Sequence, residues 1–505
     1  MKTSAPSVGI SGYRGPVAEH ASQLRAAGLI REELFINGRW VPPAGGARLE
    51  VTDPATGTVL AAVACAEPAD VAEAIAAADS ARRGWAARPA TERAEALLRW
   101  HDQILAHAEQ LAILLTIEQG KPLAEASGEI AYSAAFVRFF AEEARRAYGE
   151  IIPHNRDGRR LLALRQPVGV VAAITPWNFP ALMIARKVAP AIAAGCTVVL
   201  KPASETPLSA LALAELALRA ELPAGVLNVV HGDPEAVGTV LTAEPAVRML
   251  TFTGSTEVGR LLMARCAPTV KRLGLELGGN APFIVFDDAD LDAAVAGAID
   301  AKFRNAGQTC VCANRILVQD GVHDEFAERY AAATAQLAVG HGLSPGVAIG
   351  PLIDEAAVAK VERHIAGALA AGAEITAGGA RHEHGGTFFT PTVLTGATAG
   401  MEIATAETFG PVAPLLRFST EDEALALANA TESGLSAYFY TRDAGRIFRF
   451  GEGLEFGVVG VNSGAISYEG APFGGMKQSG IGREGSRHGM EEFLELKYLC
   501  IDGIG

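Results

Sequence analysis

From residue 168 onward, short aliphatic runs alternate with helical stretches, and this alternation limits the fold more than any other feature of the chain. Strand-like runs lie at residues 168–174, 197–200, 225–230 and 247–252. Helices are predicted to begin near Phe179, Pro207, Pro234 and Thr256. This spacing is typical of a parallel, doubly wound sheet. Because a second alternating series runs from about residue 283 to 465, the 505 residues predict an α/β protein of two or three domains.

Three segments outside these series have patterns of their own. Residues 70–148 read as helices, one of which ends at Gly120 and Pro122. Residues 150–166 place a polar turn between two apolar runs, which predicts a β-hairpin. Residues 494–501 predict a last strand.

Composition and charge argue against several classes of protein. A formal net charge of -14 disfavours a nucleic acid or an anionic membrane as partner, because both reward a basic surface. The longest apolar run, near residues 188–200, falls short of the ~20 residues that a membrane span needs. Six cysteines, mostly scattered, fit a reducing compartment, and no metal-ligand spacing appears. We therefore expect a cytoplasmic protein without a metal site.

The first 30 residues are interpreted as an N-terminal extension. They lack a basic start followed by an apolar run, so they do not indicate a secretory signal. Arginines among acidic residues leave an organelle targeting peptide open, but a loosely ordered extension is favoured.

Cys310 and Glu276 carry the first chemical signal. The thiol lies in residues 303–312 (FRNAGQTCVC) and the carboxylate in residues 276–280 (ELGGN), each framed by glycine and amide residues. Attack of a thiolate on a carbonyl, followed by base-activated water, needs this pair of groups. Alone, a cysteine is more often core filler and a glutamate is usually solvated surface. The interpretation as acyl chemistry through a thioester therefore depends on further motifs.

Two segments indicate a dinucleotide. Residues 252–259 (FTGSTEVG) follow a strand and open a helix, where Gly254 and Ser255 suit a pyrophosphate, although a tight strand–helix turn explains them as well. Residues 201–204 (KPAS) end a strand in the crevice where such sheets bind ligands. Lys201 can reach ribose hydroxyls or a 2′-phosphate, and Ser204 stands where a carboxylate would repel that phosphate. NADP is therefore the preferred cofactor and NAD the alternative.

Residues 175–180 (TPWNFP) follow the first strand of the sheet. The two prolines fix the turn and hold the carboxamide of Asn178. An amide N–H aimed at a developing alkoxide, with a main-chain N–H near Cys310, would stabilise an oxyanion. A turn-capping asparagine is the alternative.

Together these segments resemble the aldehyde dehydrogenase superfamily from about residue 34 to the end, with further matching runs at 407–411 (ETFGP) and 472–475 (PFGG). The resemblance implies an aldehyde-dehydrogenase-like fold with two doubly wound parallel-sheet domains and a β-hairpin oligomerisation arm. It also implies NAD(P)⁺-dependent oxidation of an aldehyde to a carboxylate.

The resemblance further implies how the chain is divided into domains. The implied parts are a cofactor-binding domain of residues 31–147 and 167–278, a catalytic domain of residues 279–485, and an oligomerisation arm of residues 148–166 and 486–505. The arm would pair with a neighbouring subunit in a homodimer or homotetramer.

Catalytic roles are implied residue by residue. Cys310 would be the nucleophile, Asn178 the oxyanion donor and Glu276 the base for deacylation. Lys187 and Glu484 match positions that relay protons to and from that base. Because Glu276 is present, water rather than coenzyme A is expected to accept the acyl group.

Cofactor contacts are implied in the same way. Glu407 would hold the nicotinamide ribose and Phe409 would lie against the nicotinamide ring. The full set of expected cofactor residues is Thr175, Pro176, Trp177, Lys201, Ser204, Gly254, Ser255, Glu407 and Phe409.

Residues 304–314 and 471–480 closely resemble the succinate-semialdehyde dehydrogenase branch of this superfamily. The branch implies that Arg186, Arg304 and Ser467 hold the far carboxylate of the substrate, a role that suits the fixed fork of arginine. The alternative for either arginine is an ordinary surface or ion-pair residue.

The loop near Ser467 departs from the branch at Tyr468 and Gly470, which keeps glutarate semialdehyde open as substrate. One methylene changes specificity by only ~1–3 kcal/mol, so the sequence leaves both chain lengths in place.

Three other interpretations stay open. Cys310 and Cys312 could close a disulfide that switches activity off, or Cys312 is a small packed side chain. The chain could be a non-redox binding or structural protein that retains the fold. A thiol hydrolase would need a cysteine–histidine pair, for which His231 and His488 are available.

Overall fold

The structure is a computed structural model that describes residues 16–503. Its α-helices are α1 (Val17–Ala26), α2 (Pro68–Ala86), α3 (Ala90–Ala106), α4 (Ala108–Gln119), α5 (Leu123–Glu143), α6 (Leu182–Ala194), α7 (Pro207–Arg219), α8 (Pro234–Ala243), α9 (Thr256–Cys266), α10 (Leu291–Phe303), α11 (His323–Thr334), α12 (Glu355–Ala370), α13 (Glu402–Thr405), α14 (Glu421–Asn429), α15 (Ala444–Gly453) and α16 (Ser486–Glu491).

The strands alternate with these helices over most of the chain. They are β1 (Leu34–Ile36), β2 (Arg39–Val41), β3 (Arg48–Thr52), β4 (Val59–Ala64), β5 (Glu150–Ile152), β6 (Arg160–Pro167), β7 (Val170–Ile174), β8 (Thr197–Lys201), β9 (Leu227–Val229), β10 (Val247–Thr253), β11 (Arg272–Glu276), β12 (Ala281–Val285), β13 (Ala313–Gln319), β14 (Glu374–Ala377), β15 (Thr392–Thr395), β16 (Val412–Phe418), β17 (Ser433–Gly434), β18 (Ser436–Tyr440), β19 (Val458–Val461), β20 (Met476–Lys477), β21 (Gly480–Ile481) and β22 (Leu494–Ile501).

The first sheet has the order β2-β1-β9-β8-β7-β10-β11-β21. Its five central strands are parallel, and β7 and β8 are aliphatic and buried along almost their whole length, as expected where helices cover both faces. The chain runs from β7 outward through β8 and β9, and then returns to the other side of β7 with β10. The switch point of the sheet therefore lies between β7 and β10, where such folds bind ligands.

The second sheet has the order β14-β15-β16-β13-β12-β18-β19 and is parallel except at β14. It has its own buried apolar core. The predicted α/β class with two doubly wound parallel sheets is confirmed.

The predicted hairpin is also confirmed. β5 and β6 pair in antiparallel fashion, and β22 pairs with β6 along its whole length, from Leu494 opposite Pro167 to Ile501 opposite Arg160. Ile151 on β5 and Tyr498 on β22 are exposed apolar side chains of this three-stranded sheet. Contact of the arm with a neighbouring subunit stays a prediction.

The N-terminal segment differs from expectation. α1 buries Val17, Ala21 and Leu24, which recur at helical spacing and join the core of the first sheet. The prediction of a loosely ordered extension is therefore wrong for residues 17–30, and its remaining part, residues 1–15, lies outside the described residues. Within residues 16–503, no helix is long and apolar enough to cross a membrane.

Candidate active site

The segment before Cys310 has an unusual backbone. Asn305 and Ala306 have φ of 52° and 55°, and Gly307 follows with φ of 76°. Left-handed backbone costs a residue other than glycine about 1–2 kcal/mol. Two tight turns in succession carry the chain from α10 to the thiol, which lies half-buried just before β13.

Hydrogen bonds to α5 and to the turn of Asn178 hold this strained segment. The backbone N–H of Asn305 donates to Glu125 Oε2 at 2.8 Å, and its Nδ2 donates to the carbonyl of Asn178 at 3.0 Å. Lys121 Nζ donates to the same carbonyl at 2.7 Å and forms a buried ion pair with Glu129 at 2.5 Å. The loop that carries the thiol is thus tied to the turn that carries Asn178.

Asn178 itself reaches the nucleophile loop. Its Nδ2 donates to the carbonyl of Gln308 at 2.9 Å, and the second N–H of the amide is left for another acceptor. Among residues 16–503, no acceptor contacts the backbone N–H of Cys310. The structure therefore brings the side-chain donor and a main-chain donor to the same segment.

A cavity of about 310 Å³ opens beside the thiol. Its wall contains Cys310 and all three residues predicted to hold a substrate carboxylate, which are Arg186, Arg304 and Ser467. The rest is largely apolar and includes Phe179, Met183, Val311 and Phe473. The cavity can accept a short chain with one end at the thiol and an anionic end at the arginines.

The two arginines have different surroundings. The guanidinium of Arg304 lies 5.5 Å from the ring centroid of Phe179, and within the described residues it forms no salt bridge. Arg186 is buried, lies 3.9 Å from the ring centroid of Phe473, and its Nε is 2.8 Å from Glu484 Oε2. Arg304 is therefore the freer of the two cations.

Glu276 ends β11 and is only 5% exposed. Burial raises the pKa of this carboxyl well above its usual range, and the charge of Glu484 raises it further, while Arg186, Lys187 and Arg483 oppose the shift. Glu276 Oε2 is buried without a hydrogen-bond partner in the described part of the chain. A buried, poorly solvated carboxylate is a strong base.

The pKa of the neighbouring carboxyl, Glu484, is shifted in the opposite direction to that of Glu276. Burial raises its pKa, but its ion pairs with Lys187 and Arg186 outweigh burial and hold the pKa below the usual range. Two neighbouring carboxylates with pKa values pushed apart are suited to different roles in proton transfer.

Strand β21 fixes the position of Glu276. Gly480 pairs with Glu276 across the edge of the first sheet, and the N–H of Leu277 donates to the carbonyl of Ser479 at 2.9 Å. Ser479 Oγ donates to the carbonyl of Gly278 at 2.7 Å. A segment inside the range predicted as catalytic domain therefore completes the sheet that carries the base.

Burial raises the pKa of the Cys310 thiol to about 12, although the cation of Arg186 opposes the shift. A thiol with this pKa is protonated at neutral pH, so attack requires that a base remove its proton.

Glu407 and Phe409 are the residues predicted to contact the nicotinamide end of the cofactor. Glu407 Oε1 accepts a hydrogen bond from the N–H of Gly279 at 3.2 Å, and burial raises the pKa of Glu407 to about 7. Phe409 has φ of 55° and packs edge-on against Trp177 at 5.6 Å. A Cβ at Gly279 would collide with the carbonyl oxygen of Cys310, so glycine is needed where the cleft meets the nucleophile.

The residues predicted to contact the adenosine part of the cofactor lie at the ends of three parallel strands, β7, β8 and β10. Thr175 follows β7, and its Oγ1 is buried without a partner in the described part of the chain. Lys201 ends β8, with Ser204 three residues on, and Ser255 caps α9 by accepting from the N–H of Val258 at 3.3 Å. Gly254 lies beside that cap. Unpaired polar atoms and a helix N-terminus at a switch point fit a dinucleotide.

The sequence did not indicate the buried charges beside the cavity. The cavity wall includes Glu125, Glu129 and Tyr132. Lys121 lies behind this wall and donates to the carbonyl of Asn178. Lys121, Glu125 and Glu129 are spaced four residues apart, as residues on one face of a helix are. This spacing is the signal in the sequence that could have indicated the cluster.

The histidines and the second thiol are occupied elsewhere. His231 Nδ1 lies 3.2 Å from the carbonyl oxygen of Ala64, and His488 Nδ1 lies 3.2 Å from Glu491 Oε2. Neither is hydrogen-bonded to Cys310, which disfavours the thiol hydrolase. Cys312 is buried, and its thiol donates to the carbonyl of Lys302 at 3.3 Å. Both thiols of the candidate redox pair are free, so the switch stays a prediction.

Comparison with known proteins agrees with this geometry. Residues 40–499 match the model of the aldehyde dehydrogenase family. The chain is 58% identical to the NADP⁺ succinate-semialdehyde dehydrogenase of Escherichia coli, covering 95% of this chain and 99% of that protein. It is 57% identical to a glutarate-semialdehyde dehydrogenase of Pseudomonas aeruginosa, covering 95% and 100% of the two chains.

A solved structure extends the agreement to the fold. The crystal structure of a succinate-semialdehyde dehydrogenase from Burkholderia pseudomallei is 58% identical, covers 94% of this chain and 99% of its own, and superposes with a TM-score of 0.93. Sequence motifs, sheet order and site geometry thus lead to one conclusion, that this chain belongs to the aldehyde dehydrogenase family.

Proposed function

We propose that the protein oxidises succinate semialdehyde to succinate and reduces NADP⁺, with NAD⁺ as the less favoured cofactor. The observation that carries the proposal is the cavity that joins the Cys310 thiol to Arg186, Arg304 and Ser467. Two guanidinium groups near a thiol select a short aldehyde with a carboxylate at its other end. Relatives named for succinate semialdehyde support the choice.

Acylation begins when the Cys310 thiol gives its proton to water in the cavity and the resulting thiolate adds to the aldehyde carbon. The new alkoxide lies where the free N–H of Asn178 and the backbone N–H of Cys310 can donate to it. A bound NADP⁺ would supply the hydride acceptor, so that collapse of the alkoxide leaves a thioester on Cys310. Glu407 would hold the ribose of the cofactor, and Phe409 with Trp177 would enclose its ring; the contacts of Glu407 with Gly279 and of Phe409 with Trp177 support these roles.

Deacylation uses the buried carboxylate. Glu276 takes a proton from water, the hydroxide adds to the thioester, and the thiolate leaves as succinate forms. Glu484 and Lys187 are in contact with each other and lie beside Glu276, so they can carry the proton toward solvent.

Glutarate semialdehyde is the second candidate substrate. A glutarate-semialdehyde dehydrogenase is 57% identical over nearly the whole chain. Tyr468, where the sequence departs from the succinate-semialdehyde branch, follows Ser467 of the cavity wall and is 62% exposed.

The test is a comparison of kcat/KM for succinate semialdehyde, glutarate semialdehyde and butanal. We expect both semialdehydes to exceed butanal, and Arg304→Met to lower kcat/KM for the semialdehydes by about 10- to 100-fold, because a hydrogen bond to a charge is lost. Butanal serves as the internal control and should change little in this variant. Equal kcat/KM for butanal and the semialdehydes in the wild type would overturn the carboxylate clamp.

Cofactor preference is expected to depend on Ser204. In Ser204→Glu, a carboxylate beside the 2′-phosphate should lower kcat/KM for NADP⁺ by about 10²-fold through charge repulsion, and NAD⁺ should be affected far less. Ser204→Gln is the matched control, since it has the size of glutamate without its charge. A similar loss in both variants would show that bulk, not charge, governs this position.

The division into a cofactor domain, a catalytic domain and an arm is proposed with the boundaries given above. Exposed Ile151, Leu496 and Tyr498 on the arm support its pairing with a second subunit. Free thiols support a reducing, cytoplasmic location.

A further inference from the structure

Arg186 touches two parts of the site that act at different steps. Its side chain lines the substrate cavity with Cys310 and Arg304, while its Nε lies 2.8 Å from Glu484 Oε2. Arg186 is only 4% exposed. Both contacts are therefore shielded from bulk water, where charges act more strongly on one another.

The guanidinium of Arg186 has donors left for a second carboxylate. Within residues 16–503, its Nη2 is buried without a hydrogen-bond partner, and the short contact of its Nε with Glu484 is not aligned as a hydrogen bond. A guanidinium carries five N–H donors in one plane. The ring of Phe473, 3.9 Å from the guanidinium carbon, supports that plane beside the cavity.

We propose that Arg186 is shared between Glu484 and the carboxylate of the substrate, and that it is the positioning residue through which an occupied cavity acts on Glu276. The inference rests on the proposed function, because it needs a substrate that brings an anion into the cavity. When that anion takes part of the charge of Arg186, Glu484 is left with Lys187, which is already its stronger cationic partner.

Glu276 responds because few charges surround it. Besides burial, the groups that act on its pKa are Glu484, which raises it, and Arg186, Lys187 and Arg483, which lower it. The Cys310 thiol is also a neighbour of Glu276, since the charge of Glu276 raises the pKa of this thiol. A carboxylate bound to Arg186 weakens the main opposing cation, so the pKa of Glu276 rises. The acyl group on Cys310 keeps this carboxylate, and Glu276 is the stronger base when water must be activated.

The test compares two acyl-enzymes of the full-length protein with NADP⁺. Succinate semialdehyde forms the succinyl thioester and butanal forms the uncharged butyryl thioester. Decay of each is followed across pH by acid quench and intact-protein mass spectrometry. We expect the acid midpoint of succinyl-enzyme decay to lie higher by about half a pH unit or more. Equal midpoints in the wild-type protein would overturn the inference.

The succinyl carboxylate could raise the pKa of Glu276 either through Arg186 or directly by its own charge, and variants distinguish these two causes. Glu484→Gln removes the second carboxylate that shares Arg186, and with it the part of the shift that Glu484 transmits to Glu276. Arg186→Lys keeps a cation without the fork that serves two carboxylates. Both should reduce the separation of the midpoints. Arg304→Met is the matched control and should retain the separation, since Arg304 does not contact Glu484.

The outcomes also distinguish this inference from the proposed function. A separation that is undiminished in both Glu484→Gln and Arg186→Lys overturns the shared arginine and leaves the substrate assignment intact. A wild-type protein without preference for the semialdehyde over butanal in kcat/KM instead overturns the substrate assignment.

Discussion

Replacement of Cys310 by alanine is expected to abolish reduction of NADP⁺ by succinate semialdehyde, with a loss in kcat of about 10⁴-fold or more. Among the described residues that line the cavity, Cys310 is the one cysteine, and without its thiol no thioester can form. The measurement is the initial rate of NADPH formation at saturating aldehyde, together with binding of NADP⁺ to show that the cleft is intact.

Cys312→Ala is the matched control for this experiment. Its thiol faces the carbonyl of Lys302, so turnover should persist when it is removed. Turnover retained in Cys310→Ala would contradict the thioester mechanism. Peroxide inactivation that dithiothreitol cannot reverse, or that persists in Cys312→Ala, would contradict the redox switch.

The second large effect concerns Glu276→Gln. We expect the first turnover to remain fast and later turnovers to slow by about 10²–10⁴-fold, because acylation proceeds while the base for deacylation is gone. Rapid mixing at pH 7 should therefore give a burst of NADPH equal to the number of sites, followed by a slow phase. Loss of the burst along with the steady rate would mean that Glu276 acts earlier, on the Cys310 thiol.

The raised pKa of Glu276 also fixes the sign of the pH dependence. The residue acts as a base only when ionised, so deacylation in the wild type should fall as the pH drops through that raised pKa. In Glu276→Gln this acid limb should disappear from the slow phase. An unchanged acid limb would assign it to another group, for which the Glu407 carboxyl, with a pKa of about 7, is the first candidate.

Much of the fold could be predicted because its signals are local. Aliphatic runs such as residues 197–201 become strands buried on both faces, and Gly120 ends a helix with φ of 98°. α1 was missed because its apolar residues contact a core formed by distant segments. α6 begins at Leu182 rather than near Phe179, since the turn before it is held by Glu129, whose Oε1 accepts from backbone N–H groups there.

The site was predictable to the extent that its motifs lie at strand ends. Asn178, Ser255 and Glu276 each follow or close a parallel strand, and the sheet brings such ends together. The contact of Arg186 with Glu484 joins residues that are 298 positions apart in the sequence. No local pattern can therefore indicate it. The same holds for the left-handed turn at Asn305 and Ala306, because asparagine tolerates this backbone but alanine does not favour it.

The pairing of β21 with the strand of Glu276 has a consequence for biosynthesis. β21 lies at residues 480–481, far beyond both Glu276 and Cys310 in the sequence, and Glu484 follows it. A growing chain that already contains Cys310 and Glu276 but not yet residues 480–484 therefore lacks both the strand that fixes the base and its charged neighbour. Because domains form from the N-terminus as the ribosome advances, the thiol and the base reach their working geometry only after residue 484 has been added. Products that stop before residue 480 should consequently be inactive even where most of their chain is folded.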